Sequence, residues 1–101
     1  LLSWDKITLV FIKKSKIVCD SIEACLAEAG DIQIPLKEGI LTKDDLQWEL
    51  GDLVTGKTQV RESKNDITLM KSVGLSIQDI SVAYHVYKQA KEKGIGSNFD
   101  F

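Results

Sequence analysis

A short apolar run that passes straight into a capped helix most constrains the fold of this chain. Residues 16–20, KIVCD, lack polar alternation, which is typical of a strand buried on both faces of a parallel sheet. Ser21 follows as a helix N-cap, and apolar residues at helical spacing then lead to Gly30, which we expect to end the helix. Strand, cap, helix and glycine in this order predict an α/β domain.

A second strand-to-helix join lies further along. Ile67–Met70 is β-branched and apolar and predicts a strand, and a long helical pattern follows Lys-Ser-Val-Gly at 71–74. Ser72 is expected to be the N-cap of this helix, and the free N–H groups beside it would form a site for a phosphate or a carboxylate. On local chemistry alone, a plain capped turn without a ligand is the commoner alternative.

The last helix has an unusual distribution of apolar residues. A helix that is apolar on two sides must pack between two bodies of protein, and 101 residues hardly supply both. Gly94 and Ile95 predict a Schellman-type end to this helix. One apolar stripe consists of Val73, Ile77, Ile80, Tyr84 and Tyr87, and a nearly opposite one of Leu75, Val82, Val86 and Ala90.

The remaining segments carry weaker signals. They depend on strand propensity, on the single proline, on a capping-box pattern and on polar composition. A strand is predicted at Lys6–Ile12, irregular chain around Pro35 at Asp31–Gly39, one helix from the capping box at Thr42 to Gly56, and a mobile loop with solvated basic residues at Gly56–Asp66.

Composition excludes several classes of function. A net charge of −2 indicates neither a nucleic-acid partner nor an anionic membrane partner, and no apolar run approaches the roughly 20 residues that span a bilayer. Cys19 and Cys25 do not form a CxxC pair, which favours reduced thiols in a cytoplasmic protein. A single histidine, His85, supports neither a zinc site nor a histidine-based triad. The chain therefore looks catalytically incomplete.

Four segments, in the right order, resemble the ornithine cyclodeaminase/mu-crystallin family. "DITLMKSVGLSIQD" resembles its closing signature, and "KIVCDS" resembles the strand end before its Val-Asp-Ser step. "EAGDIQIPLKEGIL" is similar to its Glu-x-Gly-Asp segment, and "LQWELGDLVTGK" to its Ala-Glu-Leu-Gly helix. The resemblance covers about residues 13–96. Leu1–Ile12 does not match what the family places there, so residues 1–12 are left unassigned.

The resemblance implies that this chain is the C-terminal third of a longer, dimeric protein. Residues 13–62 would then be the last part of a Rossmann-type NAD(P)-binding domain, and 63–101 a strand–helix return to the substrate and dimerisation domain. The sequence contains no GxGxxG, so the dinucleotide fingerprint is absent. The family's Gly-Ala-Asp step, which carries its catalytic aspartate, is also absent, and no catalytic or metal-binding residue is assigned.

Three residues acquire expected roles from the resemblance. Ser72 would contact the nicotinamide end of NAD or NADP, Val73 would lie against the bound amino or imino acid, and Glu28 would line the ligand pocket. Taken from the residues alone, Glu28 is more readily explained as a surface carboxylate in the last turn of a helix.

The function implied by the resemblance is NAD(P)-dependent chemistry on a small amino or imino acid, in a homodimer. Deaminating cyclisation, imine reduction and amino-acid dehydrogenation all occur in such folds. Two alternatives stay open: a non-catalytic ligand-binding protein, and a truncated chain that acts only as a dimerisation module.

Overall fold

The computed structural model describes residues 6–101, with side chains from residue 8 onward. Helices and strands alternate along most of the chain, which makes it an α/β structure. In chain order the elements are α1 (Lys6–Lys14), β1 (Lys16–Cys19), α2 (Ile22–Glu28), α3 (Gly30–Lys37), a 3-10 turn (Lys43–Asp45), β2 (Trp48–Glu49), α4 (Leu50–Val54), β3 (Thr68–Lys71) and α5 (Ser76–Lys93).

The strands form one parallel sheet in the order β2-β1-β3. Val18 in the central strand lies opposite Trp48 on one side and Met70 on the other. The strands predicted at residues 16–20 and 67–70 are confirmed to within a residue. Ile17 and Cys19 in β1 are fully buried, as the lack of alternation predicted, whereas β3 is an edge strand with Met70 52% exposed. Strand β2 was not predicted, because two residues carry no periodic signal.

The hydrophobic core packs helices α1, α2 and α3 against β1. Burying each large aliphatic side chain contributes about 1.5–3 kcal/mol to folding, so this cluster is the main source of stability. Its buried members are Ile12, Ile17, Cys19, Cys25, Ala29, Ile32, Leu41 and Leu46.

Helix α1 corrects the prediction of a strand at Lys6–Ile12. Leu9 and Ile12, three positions apart and so on one helical face, are buried, while Val10 and Phe11 are exposed. The β-branched residues favoured a strand only weakly, and packing of the helical face against the core overrides that preference.

Helix α2 begins as predicted, since the Ser21 hydroxyl accepts a hydrogen bond from the Ala24 N–H at 3.2 Å. Gly30 is not followed by irregular chain, however. It is the first residue of α3, so the prediction of irregular chain at Asp31–Gly39 is wrong. Pro35 is compatible with helical φ and is fully buried, and its carbonyl accepts the N–H of Ile40 at 2.9 Å. Burial of this face outweighs the missing proline N–H.

The segment from Thr42 to Gly56 is not one helix. The capping box exists, with the Thr42 N–H donating to Asp45 Oδ2 at 2.8 Å, but it closes a 3-10 turn. The chain then extends through β2, because its backbone groups bond to the open edge of β1, and only α4 is helical.

Asp66 organises the polar loop at Gly56–Asp66. Its Oδ2 accepts hydrogen bonds from Lys16 Nζ at 2.9 Å and from the backbone N–H groups of Glu62 and Ser63. Arg61 donates to the Asp66 carbonyl and is therefore not simply solvated, as was expected. The loop is irregular but is tied to β1 by Lys16.

Helix α5 ends as predicted but packs differently. Gly94 has φ +65°, and the Ile95 N–H donates to the Ala90 carbonyl at 2.9 Å, a Schellman-type end. No residue of α5 is buried, and Ile80 is 66% exposed. The Cα radius of gyration is 18.1 Å, against about 13 Å for a compact domain of this length. Within residues 6–101, the stripe residues that lie in α5 are exposed, apart from Ala90, which is half-buried. No helix of this part of the chain is long and apolar enough to cross a membrane.

Candidate functional site

The carboxyl ends of the three parallel strands bring three polar residues to one edge of the sheet. Asp20 follows β1, Glu49 ends β2, and Ser72 follows β3. In open α/β sheets, ligands bind in the crevice outside this edge. The edge is therefore where a functional site is expected.

Asp20 is the centre of this cluster. The carboxylate is almost completely buried, with the residue only 7% exposed. Its Oδ2 accepts hydrogen bonds from Ser72 Oγ at 2.8 Å, from the N–H groups of Val73 and Gly74 at 3.0 Å each, and from Gln78 Nε2 at 3.2 Å. We call this set of contacts the Asp20 clasp, since it ties the end of β1 to the turn after β3 and to α5.

The hydrogen bonds of the clasp, together with one from the Ser21 N–H to Oδ1, keep Asp20 ionised. Burial by itself raises the pKa of Asp20, but the Ser72 hydroxyl and the backbone N–H groups of Gly74 and Ser21 outweigh it. The pKa is lowered from 3.8 to about 2. The buried group is therefore a carboxylate at neutral pH, able only to accept hydrogen bonds.

The clasp corrects the expected role of Ser72 as an N-cap. Helix α5 begins at Ser76, and its N-cap position is Leu75. Gly74 has φ +87°, which allows the successive N–H groups of Val73 and Gly74 to reach one acceptor. The turn does bind an anion, as its chemistry predicted, but that anion is the carboxylate of Asp20.

Two further charged contacts flank the clasp. Lys71 Nζ forms an ion pair with Asp31 Oδ2 at 2.9 Å, and this contact raises the pKa of Lys71. The other oxygen of Asp31 is buried without a hydrogen-bond partner among the described residues. Glu49 Oε1 accepts the Ile22 N–H at 2.8 Å, where a negative charge is favourable at the start of α2. The sheet edge is thus fixed by polar contacts within the chain.

The two cysteines lie beneath the clasp as free thiols. Cys25 Sγ is 3.7 Å from Asp20 Oδ1 and 3.8 Å from the Lys71 carbonyl. Burial raises the pKa of Cys19 to about 12 and also raises the pKa of Cys25. Neither thiol is therefore a nucleophilic thiolate at neutral pH.

The residues predicted to bind ligands occupy different environments. Ser72 is exposed at the sheet edge, and Val73, its neighbour in the same turn, is half-buried against the core. Glu28 is exposed at the end of α2, and its side chain makes no hydrogen bond or ion pair with the described residues. Their expected roles in binding stay predictions.

Sequence reasoning did not identify Asp20 as a site residue. The signal for it was available: Asp20 directly follows a buried strand, and the Lys-Ser-Val-Gly turn directly follows another. Parallel pairing brings such strand ends together. What was missing was the evidence that these two strands are neighbours.

Residues 3–94 match the sequence profile of the ornithine cyclodeaminase/mu-crystallin family. The chain belongs to this family. The family match begins near the N-terminus, so the expectation that Leu1–Ile12 is unlike the family is wrong from residue 3 onward.

Relatives in this family are longer proteins. A Δ1-pyrroline-2-carboxylate reductase of Bacillus cereus is 44% identical over 87 residues. The alignment covers 86% of this chain and 27% of that reductase. The chain therefore spans about a quarter of the length of such relatives.

Two solved structures have the same fold as this chain and are identical to it at more than a third of the aligned positions. A Δ1-pyrroline-2-carboxylate reductase of Thermococcus litoralis, in complex with NADH and L-proline, aligns at a TM-score of 0.75 and 45% identity over 87% of this chain and 27% of that one. An archaeal alanine dehydrogenase dimer with bound NAD aligns at a TM-score of 0.72 and 35% identity, over 92% of this chain and 29% of that one.

Proposed function

We propose that this chain is the C-terminal part of an NAD(P)-dependent enzyme that acts on a small amino or imino acid. The observation that carries the proposal is the Asp20 clasp, which holds the hydroxyl of Ser72, an exposed residue, at the carboxyl edge of a parallel sheet. Family membership, and the NADH and L-proline held by the Thermococcus litoralis reductase, supply the chemical class.

The residues present fit one end of the cofactor. Both N–H groups of the turn, at Val73 and Gly74, are bonded to Asp20, so no free anion cradle remains in this turn for a pyrophosphate. Ser72 is an exposed residue, and its hydroxyl suits a neutral polar group, such as the nicotinamide end. The pyrophosphate is assigned to a GxGxxG-type turn elsewhere in a longer protein, because this sequence has none.

When bound, NAD or NADP would supply hydride transfer to or from the α-carbon of the amino or imino acid. Ser72 orients the nicotinamide end, and Val73 provides apolar surface beside the bound acid. Glu28 is the remaining candidate for the ligand pocket. Imine reduction and amino-acid dehydrogenation are the two directions of one reversible hydride transfer, so one site serves both.

The proposal extends to domain organisation and assembly. Residues 13–62 contribute to the nucleotide-binding sheet, and 63–101 begin with β3 in that sheet and leave it through α5. The two exposed stripes of α5 provide the surface for a second domain and for a homodimer. The dimeric archaeal alanine dehydrogenase supports this assembly.

The test uses the full-length protein that carries residues 1–101. Purified protein is mixed with NADH or NADPH and a cyclic or open-chain imino acid, and in the reverse direction with NAD or NADP and small amino acids. A change in nicotinamide absorbance that requires the imino or amino acid is expected. The matched control is Ser72→Thr, which keeps the hydroxyl, beside Ser72→Ala, which removes it.

Two other outcomes would select the alternatives. Tight binding of cofactor or amino acid without turnover would identify a non-catalytic binding protein. A protein that binds neither, yet dimerises through this chain, would be a dimerisation module, and the enzymatic proposal would be abandoned.

A further inference from the structure

We propose that Asp20 is a positioning residue that makes Ser72 a pure hydrogen-bond acceptor, so that the ligand group bound at Ser72 is an N–H donor. The inference rests on the proposed function, and it adds the polarity of the contact and the residue that sets it. On the nicotinamide ring, the only N–H donor is the carboxamide NH₂.

Ser72 Oγ donates the 2.8 Å hydrogen bond to Asp20 Oδ2. An ionised carboxylate has no hydrogen, so the hydrogen in this bond belongs to the serine. Oδ2 also receives the N–H groups of Val73 and Gly74, which excludes a hydrogen on that oxygen by geometry. The single hydroxyl hydrogen of Ser72 is therefore used inside the protein.

The serine oxygen keeps limited hydrogen-bonding capacity once its hydrogen is used. A hydroxyl has one donor hydrogen and two acceptor lone pairs. The Gly74 N–H approaches Ser72 Oγ at 3.3 Å and occupies part of this capacity. Ser72 is exposed, so the remaining lone pair can face a ligand. A ligand oxygen that carries no hydrogen could not form a hydrogen bond here, because its lone pairs would face those of Ser72 Oγ.

The charge around Ser72 also favours a donor group. Asp20 brings a full negative charge next to Ser72, and Glu49 holds another carboxylate at the same sheet edge. Lys71, the cation that ends β3 at this edge, is paired with Asp31. These negative charges would repel a phosphate or carboxylate that approaches Ser72 Oγ, whereas they attract the NH₂ of an amide. Charge and hydrogen-bond polarity point to the same kind of ligand group.

The test compares cofactor analogues on the full-length protein. The 3-acetylpyridine analogue of NAD replaces the carboxamide NH₂ with a methyl group and keeps the carbonyl oxygen. The thionicotinamide analogue keeps the NH₂ and replaces the carbonyl oxygen with sulfur, so it is the matched control. Dissociation constants are measured by calorimetric titration. Wild-type protein is expected to bind the acetyl analogue about three- to tenfold more weakly than NAD, and the thio analogue much like NAD.

Substitutions at Ser72 and Asp20 then show whether these residues cause the difference in affinity between NAD and the acetyl analogue. Ser72→Ala should bring the ratio of the two dissociation constants close to one, and Ser72→Thr should keep it. Asp20→Ala frees the Ser72 hydroxyl to donate to the acetyl carbonyl, so the ratio should also fall. A purely structural role of Asp20 would instead weaken every analogue by the same factor, which would overturn its assignment as a positioning residue.

The outcomes separate this inference from the proposed function. If wild-type protein binds the acetyl analogue as tightly as NAD, the inference fails and the proposed function survives. If it binds no nicotinamide dinucleotide, both fail. The Ser72 variants decide the polarity even if Asp20→Ala does not fold.

Discussion

Asp20 and Ser72, 52 positions apart in the chain, are joined by a 2.8 Å hydrogen bond that connects the end of β1 to the turn after β3. The same carboxylate reaches Gln78 in the first turn of α5. One buried charge thus couples the sheet, the turn and the projecting helix. Stability and site geometry should therefore respond together when this group is changed.

Acid should destabilise the protein through Asp20. Its pKa is lower in the folded state, about 2, than its ordinary value of 3.8. The stabilisation is therefore complete above about pH 4 and is lost as the pH falls towards 2. Free energies of unfolding from urea titrations across this range should fall less steeply in Asp20→Asn than in the parent protein. Asp66, whose pKa is also lowered, contributes in the same direction, so Asp66→Asn is needed as a companion variant.

Substitution of Ser72 should distinguish the clasp from a helix cap. Ser72→Ala removes a hydrogen bond to a charged group, which should lower the free energy of unfolding by about 1.5–3 kcal/mol. Ser72→Gly should cost at least as much, because glycine also lacks the hydroxyl. An N-cap serine would behave differently, since glycine keeps most of the stability at that position. Denaturant unfolding that shows Ser72→Gly close to the parent protein would contradict the clasp.

The loop before β3 should open when Asp66 is neutralised. Asp66→Asn weakens the contact with Lys16 Nζ and the bonds to the Glu62 and Ser63 N–H groups. Trypsin should then cut faster after Arg61, whose guanidinium is otherwise bonded to the Asp66 carbonyl. Limited proteolysis followed by mass spectrometry measures this rate.

The control for the loop is Asp52→Asn. Asp52 contacts Lys57 at only 4.0 Å and both side chains are exposed, so its loss should leave the cleavage rate unchanged. Equal cleavage of Asp66→Asn and the parent protein would show that Asp66 does not hold the loop.

The isolated 101-residue chain should self-associate through α5. Ile80 and Val82 lie on its two apolar stripes, both well exposed, and large exposed apolar surfaces mark missing interfaces. Ile80→Glu combined with Val82→Glu should reduce the average mass measured by light scattering. Gln89→Glu, at an exposed polar position of the same helix outside both stripes, adds charge and should leave the average mass unchanged. A sharp monomer peak for the unaltered chain would refute the prediction.

Local features of this protein could be predicted from neighbouring residues in the chain. The Ser21 cap, the strand around Ile17 and the end of α5 at Gly94 depend on atoms only a few positions away, and each was predicted correctly. The α/β class and the family motifs follow from the same short-range order. The two apolar stripes of α5 could also be predicted from the sequence, because the helical spacing of its apolar residues defines them.

Contacts between distant segments decided the rest. Trp48–Glu49 became a strand because the edge of β1 offered backbone partners, and Gly30–Lys37 became a helix because Ile32 and Pro35 could be buried against the core. The turn chemistry at Ser72 predicted an anion, but only the parallel pairing of β1 with β3 placed the carboxylate of Asp20 there. Long-range pairing brings together residues that the sequence keeps far apart, so no local pattern records it.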